Sequence, residues 1–154
     1  MNKQLKVDPI KNGTVIDHIP AGKALHVAEI LKLNPPIDEV MIGMNLTSKK
    51  TGKKDIIKIE NRELSANEVN SIALLAPNAT YILINDYKIV GKTSVKLPDA
   101  IDNLVICPNE KCITNTSPDI HSRFTVEEKE PIKIRCVFCE KKYKIDDIHF
   151  KIYK

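Results

Sequence analysis

The residues best suited to chemistry are four cysteines in the last third of the chain. They stand as Cys107-x4-Cys112 and Cys136-x2-Cys139, the chain has no others, and 23 residues separate the pairs. Each pair is a short knuckle that can aim two sulfurs at one point. Two such knuckles brought together by folding make a tetrahedral four-thiolate site, most often for one zinc ion. A four-sulfur site is coordinatively closed, so its role is structural; a catalytic zinc would keep a position for water. His121 and His149 lie in the same region but read as surface residues, because four cysteines already complete the set. A redox iron of the rubredoxin type is the alternative. Its knuckles usually carry glycine after the second cysteine, where this chain has Ile113 and Glu140.

No nucleophile constellation accompanies the cysteines. The chain has no Gly-rich phosphate loop, no Gly-x-Ser-x-Gly and no His-Glu-x-x-His. Asp17-His18 could serve as an acid–base pair, but neighbours on a regular strand point to opposite faces. The pattern is that of a binder. Asp17, His18, Lys58 and Lys92 interrupt apolar strands, and lysines near an aspartate suit an anionic ligand with hydroxyls, such as a nucleotide. Taken by themselves, strand lysines more often face solvent. The Lys49, Lys50, Lys53, Lys54 run reads as a solvated loop.

The elements that must position these residues follow from periodicity. Thr14-Val15-Ile16-Asp17-His18-Ile19, between Gly13 and Pro20, reads as a strand. Ala24, Val27, Ala28 and Leu31 have helical spacing within 21–33, and Asn34-Pro35-Pro36 stops that helix. Strands are expected at Val40–Leu46 and Asp55–Glu60, joined by the polar loop Thr47–Lys54 as a hairpin. Ser65-Ala66-Asn67-Glu68 is a capping box opening a helix with Val69, Ile72, Ala73 and Ala76 on one face, closed by Pro77. One or two further strands cover Thr80–Asn85 and Tyr87–Lys92. The order strand, helix, strand, strand, helix, strand is the ferredoxin-like βαββαβ arrangement, with both helices on one face of an antiparallel sheet.

Leu97-Pro98-Asp99-Ala100 marks a boundary, dividing the chain into 1–97 and 98–154. Beyond it the apolar segments are short: Leu104–Ile106, Phe124–Val126, Ile132–Ile134, Tyr143–Ile145 and Ile148–Phe150. The fold class expected is therefore α+β, with a small β-rich unit stapled by metal because so short a segment buries little core.

Totals narrow the function. The net charge of +4 divides into 14 basic and 11 acidic residues over 1–100 (+3) and 10 and 9 over 101–154 (+1). Neither part has the dense positive charge of a nucleic-acid-binding domain. The start of the chain lacks the apolar run of a secretory signal, and no stretch suits a membrane span. These features point to the cytoplasm, where cysteines stay reduced and bind metal.

Almost the whole chain resembles the regulatory chain of aspartate carbamoyltransferase. The resemblance rests on Gly13-Thr14-Val15-Ile16-Asp17-His18-Ile19-Pro20, on Lys54-Asp55-Ile56-Ile57-Lys58-Ile59-Glu60-Asn61, on Tyr87-Lys88-Ile89-Val90-Gly91-Lys92, on Ile101-Asp102-Asn103 leading into Cys107-Pro108-Asn109, and on the cysteine spacing. It implies a non-catalytic subunit that joins the catalytic chains of pyrimidine synthesis, in an assembly of two catalytic trimers and three regulatory dimers. It implies an N-terminal nucleotide-effector domain (CTP inhibiting, UTP assisting in some members, ATP activating) that also forms the regulatory dimer. The zinc domain is implied to contact the catalytic chain, and neither nucleic acid nor membrane is an implied partner.

The same resemblance implies an effector site. Asp8 and Ile10 match positions near the base, although glutamate occurs in the family where Asp8 stands. Val15, Asp17 and His18 match residues lining ribose and phosphates. Lys58 matches a lysine contacting sugar and base, Tyr87 and Ile89 match positions whose backbone reads the base edge, and Lys92 matches a phosphate-binding lysine. Ile82 stands where the family can carry an asparagine near the phosphates, and its side chain cannot donate a hydrogen bond. Two other classes share parts of the pattern. One is a stand-alone zinc-ribbon protein binding nucleic acid or a transcription complex, disfavoured by weak charge bias and only 5% aromatics. The other is an amino-acid-binding or similar ferredoxin-like sensor domain, which has no reason to carry the four cysteines.

Overall fold

The computed structural model describes residues 8–33, 39–49 and 52–151. The chain divides into two compact units, with the boundary between Lys96 and Leu97.

The first unit is a five-stranded antiparallel sheet with two helices. Its elements are β1 (Gly13–Pro20), α1 (Ala24–Ile30), β2 (Val40–Ser48), β3 (Gly52–Glu60), α2 (Ala66–Leu75), β4 (Thr80–Asn85) and β5 (Lys88–Ser94). The strand order β2-β3-β1-β4-β5 contains the ferredoxin-like order, and β5 extends it as an extra edge. Thr80–Asn85 and the segment after Tyr87 are thus two strands. Asp86 (φ 52°) and Tyr87 (φ 64°) form the two-residue hairpin turn between them, so Tyr87 is a turn residue.

Alternation sorts side chains between two faces. Ile16, Ile19, Ile57 and Ile59 are fully buried on the face that carries the helices, together with Val27, Leu31, Ile72 and Leu74. Hydrogen bonds fix which face this is. The Leu64 N–H, just before α2, donates to the hydroxyl of Tyr81, which pairs with Ile16. The Gly22 and Ala24 N–H groups, at the start of α1, donate to Asp55.

The helix boundaries have local causes. Ser65 and Glu68 form the expected capping box: the Glu68 N–H donates to Ser65 Oγ at 3.2 Å and the Ser65 N–H donates to Glu68 Oε1 at 3.0 Å. The first helix is shorter than its apolar period suggests. Gly22 (φ 92°) lies before it, and Lys32 (φ 54°) turns left-handed just after it. The Asn34-Pro35-Pro36 stop lies outside the described residues. The β2–β3 hairpin is longer than the sequence suggests: Thr47, Ser48, Lys53 and Lys54 are strand residues.

The second unit contains β6 (Ala100–Asp102), β7 (Val105–Ile106), α3 (Ile113–Thr116), β8 (Arg123–Lys129), β9 (Ile132–Cys136), β10 (Lys142–Lys144) and β11 (His149–Phe150). One sheet runs β10-β9-β8-β6 and a second pairs β11 with β7. Phe124, Ile101, Ile134 and Val105 are fully buried and make its small core. Among the described residues, no helix is long and apolar enough to cross a membrane.

Candidate effector face and metal centre

The four cysteines converge. Cys107 leaves β7 and Cys112 precedes α3; Cys136 ends β9 and Cys139 closes the following turn. Their sulfurs all lie within 4.8 Å of one another, with Cys107–Cys139 and Cys112–Cys136 each at 3.7 Å. Four sulfurs about 2.3 Å from one zinc stand about 3.8 Å apart, so the set fits tetrahedral zinc.

Each knuckle is braced by its own backbone. In the first, the Cys112 N–H donates to the Asn109 carbonyl, and Asn115 Nδ2 donates to the Cys107 and Asn109 carbonyls. In the second, the Glu140 N–H donates to the Cys136 carbonyl, with Glu140 at φ 63°. Glu140 therefore takes the left-handed conformation that glycine would favour, so its identity does not argue against a knuckle of this shape. Burial pushes the Cys107 thiol up to about 12 and raises Cys136 as well. Burial raises Cys139 too, but the Lys141 N–H, the Asn109 side chain and the other thiols outweigh it and bring Cys139 down to about 7. Cys139 is also the least buried of the set. His121 and His149 are exposed and lie outside the cluster. A bound zinc would link the two knuckles and neutralise thiolate charge, supplying folding energy to a unit with little core.

The other candidates gather on the helix-free face of the first unit. Register aligns them in one row: Met41 pairs with Lys58, Lys58 with Val15, Val15 with Ile82, and Ile82 with Lys92. Cross-strand partners share a face, so two lysines flank an apolar strip. Ile10 (2% exposed) packs with Val15, Ile56 and Ile82, with Met41, Leu46 and Ile84 beside them. Lys58 Nζ donates to the Asp8 carbonyl at 3.0 Å. Burial lowers the Lys58 ammonium below the ordinary lysine value, against the opposing charges of Asp17 and Asp8. A bulge at Val90 restores Ile89 to the Lys92 face, where it pairs with Ile84. Tyr87, Ile89 and Lys92 are exposed, and the Tyr87 N–H donates to the Lys11 carbonyl.

Asp17 and His18 break the alternation expected of a strand. The β1–β3 register slips between Ile16 and Ile19, and His18 takes φ 58°. His18 Nδ1 lies 3.2 Å from Oγ1 of Thr80, the cross-strand partner of Asp17, so the bulge brings both side chains to the same side. Asp17 Oδ1 accepts from the His18 N–H at 2.7 Å and pairs with Lys54 Nζ at 2.8 Å. Burial alone would raise the Asp17 carboxyl, but the Lys54 and His18 hydrogen bonds and charges hold it below the ordinary carboxylate value.

Lys54 corrects the solvated-loop reading. It belongs to β3, its side chain is 20% exposed, and it meets Asp17 on the same face as Ile56 and Lys58. The available signal was the two-residue period Lys54-x-Ile56-x-Lys58, which extends the strand backward. The residue that sequence reasoning passed over entirely is Asp55. It is fully buried, and its carboxylate accepts from the N–H groups of Gly22 (2.9 Å), Ala24 (3.0 Å) and Asn45 (2.8 Å).

Both units match known families. The family described as "Aspartate carbamoyltransferase regulatory chain, allosteric domain" matches residues 5–96, and "Aspartate carbamoyltransferase regulatory chain, metal binding domain" matches 99–149. The chain belongs to the aspartate carbamoyltransferase regulatory-chain family. It is 48% identical to the regulatory chain of Methanothermobacter thermautotrophicus over 94% of this chain and 93% of that one. It is 51% identical to that of Pyrococcus abyssi, over 94% and 96%. It is 52% identical to that of Methanococcus vannielii, over 92% and 94%. As an aspartate carbamoyltransferase regulatory chain, the protein is a non-catalytic subunit that associates with catalytic chains, and it carries an allosteric domain and a four-cysteine metal-binding domain.

Proposed function

We propose that residues 1–97 bind nucleotide effectors on the helix-free face of the sheet, and that residues 98–154, stapled by zinc, contact the catalytic chain. The row Lys58–Val15–Ile82–Lys92 is the observation that carries the effector reading. An apolar strip between lysines suits a flat base with an anionic tail. Asp17 borders the strip as a candidate acceptor for ribose hydroxyls, His18 lies beside it toward the phosphates, and the Tyr87–Ile89 backbone is the candidate for the base edge. Ile82 adds apolar contact but no donor, so phosphate recognition falls to the lysines. CTP and ATP, with UTP in an assisting role, are the ligands this reading takes from the family resemblance.

The assembly proposed is two catalytic trimers bridged by three regulatory dimers, each dimer formed through the N-terminal domain, in the reducing cytoplasm where the four thiolates remain available to metal. A nucleotide controls such an assembly only by binding its two quaternary states unequally, a coupling typically worth about 1–3 kcal/mol. The test is calorimetric titration of CTP into the regulatory–catalytic complex with Lys92→Ala. The expected result is affinity about tenfold weaker, equivalent to one lost charge-assisted contact, with assembly intact. Wild-type affinity in that variant would overturn the site.

A further inference from the structure

Strand β3 is flanked by two bulges at the same level. On one side the β1 register slips between Ile16 and Ile19; on the other the β2 register slips between Gly43 and Leu46. Each bulge contains one residue in the left-handed region, His18 at φ 58° and Asn45 at φ 56°. Each of those residues gives its backbone N–H to a carboxylate: His18 to Asp17 at 2.7 Å, Asn45 to Asp55 at 2.8 Å. The two carboxylates are tied to consecutive positions of β3: Asp17 pairs with Lys54 at 2.8 Å, and Asp55 is the next residue. The other Asp55 oxygen holds the Gly22 and Ala24 N–H groups, which fixes the chain leaving β1 just beyond the His18 bulge.

We propose that Asp55 is a positioning residue of the effector site, tying the Asp17–Lys54 pair to the edge strand β2. The inference rests on the effector reading above. A buried carboxylate satisfied by three N–H groups cannot shift without breaking at least one of them, and an unmet buried group is costly. An anionic ligand drawn to Lys54 competes with Asp17 for the same ammonium. The β3 backbone answers that competition, and Asp55 carries the displacement to Asn45. Neighbouring Ile42 and Met44 on β2 are the exposed apolar residues of that edge.

The experiment is hydrogen exchange on the full chain in its regulatory–catalytic complex, with and without saturating CTP, comparing wild type with Asp55→Asn well below the variant's melting temperature. In wild type, CTP slows exchange in residues 43–47 as well as on the effector face. In Asp55→Asn, CTP binds about tenfold more weakly and that slowing disappears. A role confined to stability would lower the melting temperature and leave the affinity and the ligand-dependent protection of the folded protein unchanged; that result overturns the proposal. So does wild-type protein that binds CTP, by calorimetry, with no change at 43–47, while the effector site itself stands. Absence of any CTP binding to wild type overturns both. Should the variant fail to fold, the wild-type exchange pattern alone decides.

Discussion

Asp17 and Lys54 meet at 2.8 Å across a bulge that neither residue's sequence context announces. Because the folded-state pKa of Asp17 is depressed below 3.8, the pair's stabilisation is fully present above 3.8 and is lost as pH falls through the lower folded value. Asp17→Asn should therefore destabilise the protein by about 1 kcal/mol at neutral pH, the scale of a partly buried ion pair. In urea denaturation the difference from wild type should stay constant between pH 5 and 8, and vanish in acid below the folded value. A difference that grew on acidification would exclude the pair as its cause.

Lys58 has the opposite sign. Its folded pKa lies below 10.5, so its charge is disfavoured by folding, and stability should rise as pH climbs through the folded value toward 10.5. CTP affinity should fall over the same range, because the ligand needs the ammonium. Lys58→Arg, which keeps its charge throughout, should make that fall shallower. Calorimetry across the alkaline range separates the two; identical pH profiles would remove Lys58 from the site.

Removing zinc with a chelator, or replacing Cys139 with Ala, should release catalytic chains from the assembly. The second unit has a small core, and structural zinc contributes folding energy outright. Size-exclusion chromatography of a zinc-stripped mixture reads the outcome, and an intact assembly would refute the docking role of residues 98–154.

Gly13 opens β1 at φ 140°, and a Cβ there would come within 2.1 Å of the Ile59 carbonyl oxygen. Gly13→Ala should lower stability by about 3 kcal/mol or more, combining backbone strain with a clash against a strand that cannot retreat. Thermal melts should show that loss; a shift within a degree of wild type would mean that the Gly13–Glu60 pairing is not as tight as the geometry requires.

The four cysteines, the capping box at Ser65–Glu68 and the order of strands and helices were legible in the linear chain. All three depend on spacing over a few residues or on apolar period, which local chemistry dictates. The exposed state of His121 and His149 followed from the same reasoning, because four sulfurs leave a tetrahedral ion no further position. Asp55 and the Asp17–His18 bulge were not legible. A bulge is a mismatch between two strands far apart in sequence, so neither strand alone records it. Asp55 looked like any polar residue at a strand's start.

By itself, then, the sequence determined the four-cysteine metal centre and the order of strands and helices in the first unit, because these follow from residue type, spacing and period. Only the tertiary structure decided that Lys58, Val15, Ile82 and Lys92 share one row, and that Asp17 turns to Lys54 while Asp55 binds three N–H groups behind them. The physical reason is register: a one-residue slip sends a side chain to the opposite face of the sheet, and register is set between strands that are distant in the chain.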